Sequence, residues 1–397
     1  MYKKICTDKI HDTKKSYIST MFERAIVHMD LDSFFVSVEC LKNDALRGKP
    51  LIIGGAGGRG VVASCSYEAR RFGVHSAMPV KMALRLCPDA LVLRGDMEDY
   101  SKHSAIVTDI IAERSPMFEK TSIDEFYMDL SGMDRYFGCY KWSNELRDFI
   151  IKETGLPISF GLSINKTVSK IGTGEAKPNG KIQIAPGDEK QFLAPLSTSK
   201  IPGVGKETYK RLSFMGVRTV RILSEIPVKL LEREFGIMGK SLWQKANGID
   251  YAQIEPYTEQ KSMSSERTLS EDTLDLEKIR RMIRDMTDKL AFELRKDQKL
   301  CSCVTVKIRY ADFNTYTKQK KIAYTASDKE LCKQALSLFE SVYERRQLIR
   351  LIGVKFSGMV HGSPQIRLFE DTEEQVQLMQ AMDRIRNRFG KDSIHWA

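Results

Sequence analysis

The sequence predicts an α/β chain of several domains, and three observations carry that. At 397 residues it exceeds what one hydrophobic core organises. Through about residue 187, short apolar runs of strand character alternate with stretches of helical spacing. Beyond Ala194 the pattern changes to short helices punctuated by glycine, and a second alternation of helices and strands begins near residue 263.

The run Ala25-Ile-Val-His-Met29 reads as a buried strand ending at Asp30, and Asp32 to Leu41 has helical spacing with Phe35, Val38 and Leu41 on one stripe. Pro50-Leu-Ile-Ile-Gly54 and Gly60-Val-Val-Ala-Ser64 read as two strands of a small separate sheet, joined by a glycine loop. No Gly-Lys-Ser/Thr follows that loop, so it reads as a turn rather than a phosphate cradle. Tyr67 to Phe72 and Pro79 to Cys87 look helical, Ala90 to Leu93 is a strand, and Ser101 to Ile111 is a helix. Strands Met117 to Ser122 and Phe126 to Leu130 form a hairpin around an acidic turn, followed by helix Trp142 to Thr154 and strand Ile158 to Ser163.

Further on, Ile201-Pro-Gly-Val-Gly205-Lys206 ahead of Tyr209 to Phe214 is a helix-hairpin-helix signature, whose glycine turn bares backbone N–H groups at a helix start to a phosphate. Phe235-Gly-Ile-Met-Gly239-Lys240 is a looser copy. After a polar linker at Tyr257 to Ser262 come helix Leu276 to Leu294, strands Cys303 to Tyr310 and Lys320 to Tyr324, helix Lys329 to Tyr343 and strand Arg350 to Phe356. This is a ββαβ-type unit. A last amphipathic helix runs from Glu373 to Phe389, and packing on the protein's own surface is expected of it.

Composition narrows the function classes. No apolar stretch reaches the roughly 18 residues of a membrane span. The polar, lysine-rich segment Met1 to Thr20 lacks the apolar core of a secretion signal and reads as a disordered arm, so a cytoplasmic protein is expected. The eight cysteines include no Cys-x-x-Cys pair and are expected to be free thiols. Net charge is +11 and unevenly spread: zero over residues 21 to 187, +3 over 188 to 256 and +6 over 262 to 362. A polyanion held mainly by the later domains fits that distribution.

The chemistry rests on two acidic segments, His28-Met-Asp30-Leu-Asp32 and Ser122-Ile-Asp124-Glu125, each where an apolar run breaks off into acid. Carboxylates gathered in one place repel one another unless cations neutralise them. Oxygen-only ligands favour Mg2+ or Mn2+ over zinc. Two such ions side by side activate a 3'-hydroxyl and stabilise a leaving pyrophosphate in nucleotidyl transfer.

Five motifs in linked order carry a family resemblance: Asp30-Leu-Asp-Ser-Phe-Phe35, Tyr67-Glu-Ala-Arg70, Ser122-Ile-Asp-Glu125, Ala176-Lys-Pro-Asn-Gly180 and Ile201-Pro-Gly-Val-Gly205. From about Arg24 to at least Gly358 the chain resembles a Y-family translesion DNA polymerase of the DinB type, related to the UmuC group. The resemblance implies a right-hand fold: an N-terminal extension (1–23), a palm (24–187) with small fingers inserted (about 36–95), a helical helix-hairpin-helix thumb (188–256), a linker (257–262), a little finger (263–360) and a tail (361–397). It implies template-directed addition of deoxynucleotides to a primer with pyrophosphate release, damage bypass at low fidelity, and no proofreading.

By the same resemblance, Asp30, Asp124 and the Leu31 carbonyl hold the nucleotide-bound Mg2+, and Asp30, Asp124 and Glu125 hold the catalytic one, with Mn2+ able to substitute. Asp32 is left out of the ligand set as a buttress. Phe34, Phe35, Tyr67, Arg70 and Lys177 surround the nucleotide, with Phe35 as the steric gate whose ring excludes a 2'-hydroxyl. Gly203, Gly205, Lys206, Gly239 and Lys240 grip the DNA backbone. Gln365, Leu368 and Phe369 resemble the peptide by which bacterial polymerases bind the sliding clamp, two apolar anchors and an orienting amide. Partners are then primer-template DNA, dNTPs and the clamp, with no membrane and an otherwise monomeric enzyme. One departure is Ser169-Lys-Ile-Gly172-Thr-Gly174-Glu175, where many family members carry small residues and an aspartate; the added glycine predicts a looser helix behind Lys177. A nucleotidyl cyclase is the rival enzyme, against which the hairpins and the basic terminal unit argue. A scaffold without catalysis is the other rival, against which the intact acids argue.

Overall fold

The computed structural model describes residues 22–55, 57–136, 138–344, 346–362, 372–390 and 393–394. The chain divides into two compact units between Tyr257 and Thr258. Among the described residues no helix is long and apolar enough to cross a membrane, and all seven cysteines are free.

In the first unit the elements run β1 (Ile26–Leu31), α1 (Phe34–Lys42), β2 (Leu51–Gly54), β3 (Val62–Cys65), α2 (Tyr67–Arg70), α3 (Val80–Leu86), β4 (Leu91–Leu93), α4 (Met97–Arg114), β5 (Phe118–Lys120), β6 (Glu125–Asp129), α5 (Cys139–Thr154), β7 (Ile158–Ser163), α6 (Lys166–Ala176) and β8 (Lys181–Gln183). Five short helices follow: α7 (Glu189–Leu193), α8 (Lys206–Phe214), α9 (Val220–Glu225), α10 (Val228–Phe235) and α11 (Ile237–Ala246).

The main sheet has strand order β5-β6-β1-β7-β8. Strand β1 is central and antiparallel to both neighbours, and it is buried along its length because both faces are covered. Its alternation sends Val27, Met29 and Leu31 into a core shared with α4 and α5. The other face, bearing His28 and Asp30, lies under α6, which bonds to β1 through Ser169 and Thr173. A separate sheet of order β3-β2-β4 has its own small core, as the sequence predicts. Helix α1 buries Phe34, Val36, Val38 and Cys40, a broader face than the expected stripe, because it packs both on the main core and on β2 and β3.

Helix α6 runs unbroken through Gly172 and Gly174, and the close approach of helix and sheet is at Gly161 of β7, where a Cβ would stand 2.4 Å from the Ser169 carbonyl oxygen.

The second unit contains β9 (Ser262–Thr273), α12 (Leu276–Lys296), β10 (Lys299–Tyr310), β11 (Thr315–Thr325), α13 (Asp328–Val342), β12 (Ile349–His361) and α14 (Thr372–Phe389). Its antiparallel sheet has order β11-β10-β12-β9. Strand β9 extends the expected ββαβ unit. It escapes a periodicity reading because only Met263 and Leu269 of its twelve residues are buried, as suits an edge strand. Val304, Val306 and Ile308 pack under the helices, while Thr305, Lys307 and Arg309 alternate to the open face. Helix α14 packs on its own unit: Arg295 holds Asp383 at 2.7 Å and Asp328 at 2.5 Å, and Met379 and Met382 are buried.

Candidate active site

Antiparallel pairing brings the two acidic segments together. Asp30 stands opposite Glu125 in the β1–β6 register, and the Leu31 N–H donates to the Asp124 carbonyl at 3.0 Å, fixing the hairpin end against β1. Asp30, its side chain 16% exposed, meets the ammonium of Lys177. The same ammonium lies 3.5 Å from the Leu31 carbonyl oxygen. Lys170 Nζ holds Glu125 at 2.6 Å, and Asp124 accepts the Ser122 hydroxyl at 2.6 Å.

Burial pushes the Asp30 carboxyl up to about 7; Lys177 pulls it down, and the charges of Asp124 and Glu125 add to the rise. A carboxyl held near neutrality by burial and like charge is one that a divalent cation would ionise. The oxygen donors of Asp30, Asp124, Glu125 and Leu31 therefore fit Mg2+ or Mn2+.

Asp30 and Asp124 border one cavity of about 160 Å³, together with Phe34, Phe35, Arg70 and Lys177. The Phe34 ring is itself in the core, 2% exposed. Phe35 lies half-buried on Tyr100, ring centroids 4.3 Å apart and planes 11° from parallel. The Ser66 hydroxyl oxygen caps α2, which presents Tyr67 and Arg70 on one face, the guanidinium carbon 4.7 Å from the ring centroid. Tyr67 borders the adjoining cavity of about 320 Å³ instead, with Asp32 and Asn179.

Asp32 borders that second cavity, but its carboxylate is engaged by protein groups. Buried to 2% exposure, it accepts the Ser159 hydroxyl at 2.8 Å, the Asn179 N–H at 2.6 Å and the Tyr67 hydroxyl at 3.3 Å. It thus joins α2 to the loop that presents Lys177, the buttress expected of it.

The sequence reading missed Lys170, Tyr100 and His28. Lys170 lies on α6, whose end delivers Lys177, so a second lysine one turn and more before the motif was a legible signal. Tyr100 and His28 carried none, being an aromatic in a polar helix and a histidine in a buried strand.

Comparison with known proteins shows the family. The impB/mucB/samB family matches residues 29–174 and its C-terminal domain residues 260–368, while the thumb domain described for DNA polymerase-iota matches 199–250. The chain is 36% identical to DNA polymerase IV of Dehalococcoides mccartyi (strain CBDB1), over 94% of this chain and 96% of that one. It is 38% identical to DNA polymerase IV of Streptococcus pneumoniae serotype 2, over 84% and 97%. This chain belongs to the Y-family of translesion DNA polymerases. A solved Y-family DNA polymerase chimera superposes with TM-score 0.74 at 25% identity, covering 85% of this chain and all of that one.

As a Y-family polymerase the chain has the right-hand architecture, and its helical segment presents the first hairpin as expected. Gly203, at φ +97°, and Gly205, the residue before α8, are exposed with Lys206, and no side chain caps that helix start. The second copy differs. Its turn is Gly236, whereas Gly239 is buried inside α11 with its N–H bonded to the Gly236 carbonyl at 2.9 Å. A Cβ there would stand 2.0 Å from the Leu231 oxygen, so Gly239 serves the close crossing of α10 and α11 and offers no N–H to DNA. Lys240 beside it is exposed. Gln365, Leu368 and Phe369 lie outside the described residues, as does the segment 1–21.

Proposed function

We propose that Asp30, Asp124 and Glu125, with the Leu31 carbonyl, hold two Mg2+ ions, replaceable by Mn2+, and that Phe35, Tyr67, Arg70 and Lys177 hold the incoming dNTP. One observation carries this: Asp30 and Asp124, 94 residues apart, border the same small cavity as the Phe35 ring and the Arg70 and Lys177 side chains. When bound, the ions lower the pKa of the primer hydroxyl and offset charge on the leaving pyrophosphate. Arg70 offers forked donors to the triphosphate, and Lys177 shifts from the Asp30 carboxylate to the outer phosphates as ion and nucleotide arrive together. Phe35, backed by Tyr100, closes the space a 2'-hydroxyl would need.

In this reading residues 24–187 are palm and fingers, 188–256 the thumb and 263–360 the little finger. The baring of N–H groups at Gly203 and Gly205, with Lys206 and Lys240 and the open sheet face of Lys307 and Arg309, supplies a sequence-independent grip on the DNA backbone. Gln365, Leu368 and Phe369 form the clamp-binding peptide, and the enzyme is a cytoplasmic monomer apart from that contact.

Primer extension with dNTPs and Mg2+, run beside Asp124→Ala, tests the proposal. Extension by the unsubstituted chain and a loss of about a thousandfold or more in the variant is expected. Equal extension by both would mean contamination, and none by either would favour a DNA-binding scaffold.

A further inference from the structure

Strand β1 carries His28 on the same face as Asp30, and the β1–β6 register sets Tyr127 opposite the imidazole and Glu125 opposite the carboxylate. A ring nitrogen of His28 and one oxygen each of Asp30 and Glu125 all lie within 4.8 Å of one another. Asp124 is not part of this group. His28 is 1% exposed, and its Nε2 has no hydrogen-bond partner.

The other ring nitrogen decides the tautomer. Nδ1 lies 2.9 Å from Thr173 Oγ1. That hydroxyl is also 2.9 Å from the His28 carbonyl and 3.0 Å from the Ser169 carbonyl, so it has an acceptor for its own proton while its oxygen is open to a donated Nδ1–H. In the neutral ring protonated at Nδ1, Nε2 bears a bare lone pair. A buried acceptor left without a donor is unfavourable, and two neighbouring carboxylates make the place still less favourable for a lone pair. Lys170 and Lys177 bond the carboxylates and leave the ring nitrogen unserved. A cation would satisfy all three groups at once.

We propose that His28 Nε2 joins Asp30 and Glu125 as the third ligand of a divalent-cation position at the base of the carboxylate site, and that this position takes Mn2+ in preference to Mg2+. The proposal rests on the reading that these carboxylates bind cations. Ligand atoms around an octahedral ion of this size stand about 3 to 4.3 Å apart, so the group closes on it by a small side-chain adjustment. Imidazole nitrogen suits Mn2+ better than Mg2+, which favours oxygen and keeps its waters. The Thr173 contact orients the ring through its far nitrogen, as outer partners of metal-bound histidines do.

Mn2+ alone, titrated into the full chain without DNA or nucleotide and followed by electron paramagnetic resonance, tests this. Expected are pulsed spectra with a directly bound nitrogen whose pattern changes when the chain is made with nitrogen-15 histidine. His28→Gln should remove that coupling and weaken Mn2+ binding about tenfold or more while moving Mg2+ affinity less than about twofold. Asp124→Ala should keep the coupling. Bound Mn2+ without nitrogen coupling, coupling that survives in His28→Gln, or equal weakening of both ions would overturn the proposal. Should His28→Gln fail to fold, the isotope comparison on the unsubstituted chain still decides. Failure of the polymerase chemistry itself reads out separately, as absent primer extension by a chain whose Mn2+ spectra are unaltered.

Discussion

Phe35 rests face to face on Tyr100, and Tyr100 is in turn held by its hydroxyl on Glu39 at 2.8 Å. The proposed gate is therefore one of a braced pair of rings, supported by a residue 65 positions away. Phe35→Ala should raise ribonucleotide incorporation by roughly a hundredfold. Tyr100→Phe should keep the stack and most of the selectivity. Tyr100→Ala should lose part of it and cost about 3–5 kcal/mol of stability as a cavity opens. Single-nucleotide insertion of rNTP against dNTP, with denaturant melts alongside, measures both. Unchanged sugar selectivity in Phe35→Ala would remove it from the gate.

Asp32 positions groups without touching the cavity that Asp30 borders. Asp32→Ala strands the Ser159 hydroxyl, the Asn179 N–H and the Tyr67 hydroxyl, each worth about 1–3 kcal/mol when buried and unpaired. The dNTP KM is expected to rise about tenfold with a smaller fall in kcat, and Asp32→Asn, which keeps an acceptor oxygen, should recover part of the loss. Steady-state kinetics that put the whole effect in kcat would contradict a positioning role.

Asp30 gives the metal-free enzyme a pH signature. Its carboxyl is raised from 3.8 to about 7, so between those values the folded chain keeps a proton that the unfolded chain has lost. Stability from this group is therefore greatest at low pH, falls as pH rises through that window, and levels off above about pH 7. Mg2+ favours the ionised form, so it should flatten the slope and release protons when it binds near neutrality. Denaturant midpoints across the window, with and without Mg2+ and beside Asp30→Asn, check this. A slope unaltered in Asp30→Asn would assign it to other groups.

Gly239 and Lys206 should separate folding from DNA binding. Gly239→Ala forces a Cβ against the Leu231 carbonyl and is expected to cost about 1–3 kcal/mol. Lys206→Ala, at an exposed site, should leave the melt unchanged, weaken DNA binding in a salt-dependent way and lower the salt slope by about one. Melting curves and fluorescence anisotropy at several salt concentrations distinguish the two.

Much of this enzyme was legible without coordinates, because strand and helix periodicity, turn chemistry and short motifs are local properties. The alternation of buried strands and helices, the acid at each strand end, the Tyr67 and Arg70 pair and the first hairpin could all be read from neighbours in the chain. What stayed hidden depends on pairings across long separations. Strand β9 was missed because an edge strand needs little apolar surface, and Gly239 was misassigned because a glycine for a turn and a glycine for a helix crossing look alike in sequence.

Residue order alone determined which acids, rings and cations this polymerase has, since each motif is complete within a few positions. Tertiary structure decided what stands beside what: Glu125 opposite Asp30, lysines from α6 and the loop after it balancing both, Asp32 turned inward, Tyr100 against Phe35 and a buried His28 ring nitrogen without a hydrogen-bond partner. Strand register and burial set those neighbours, and with them the charge state of Asp30.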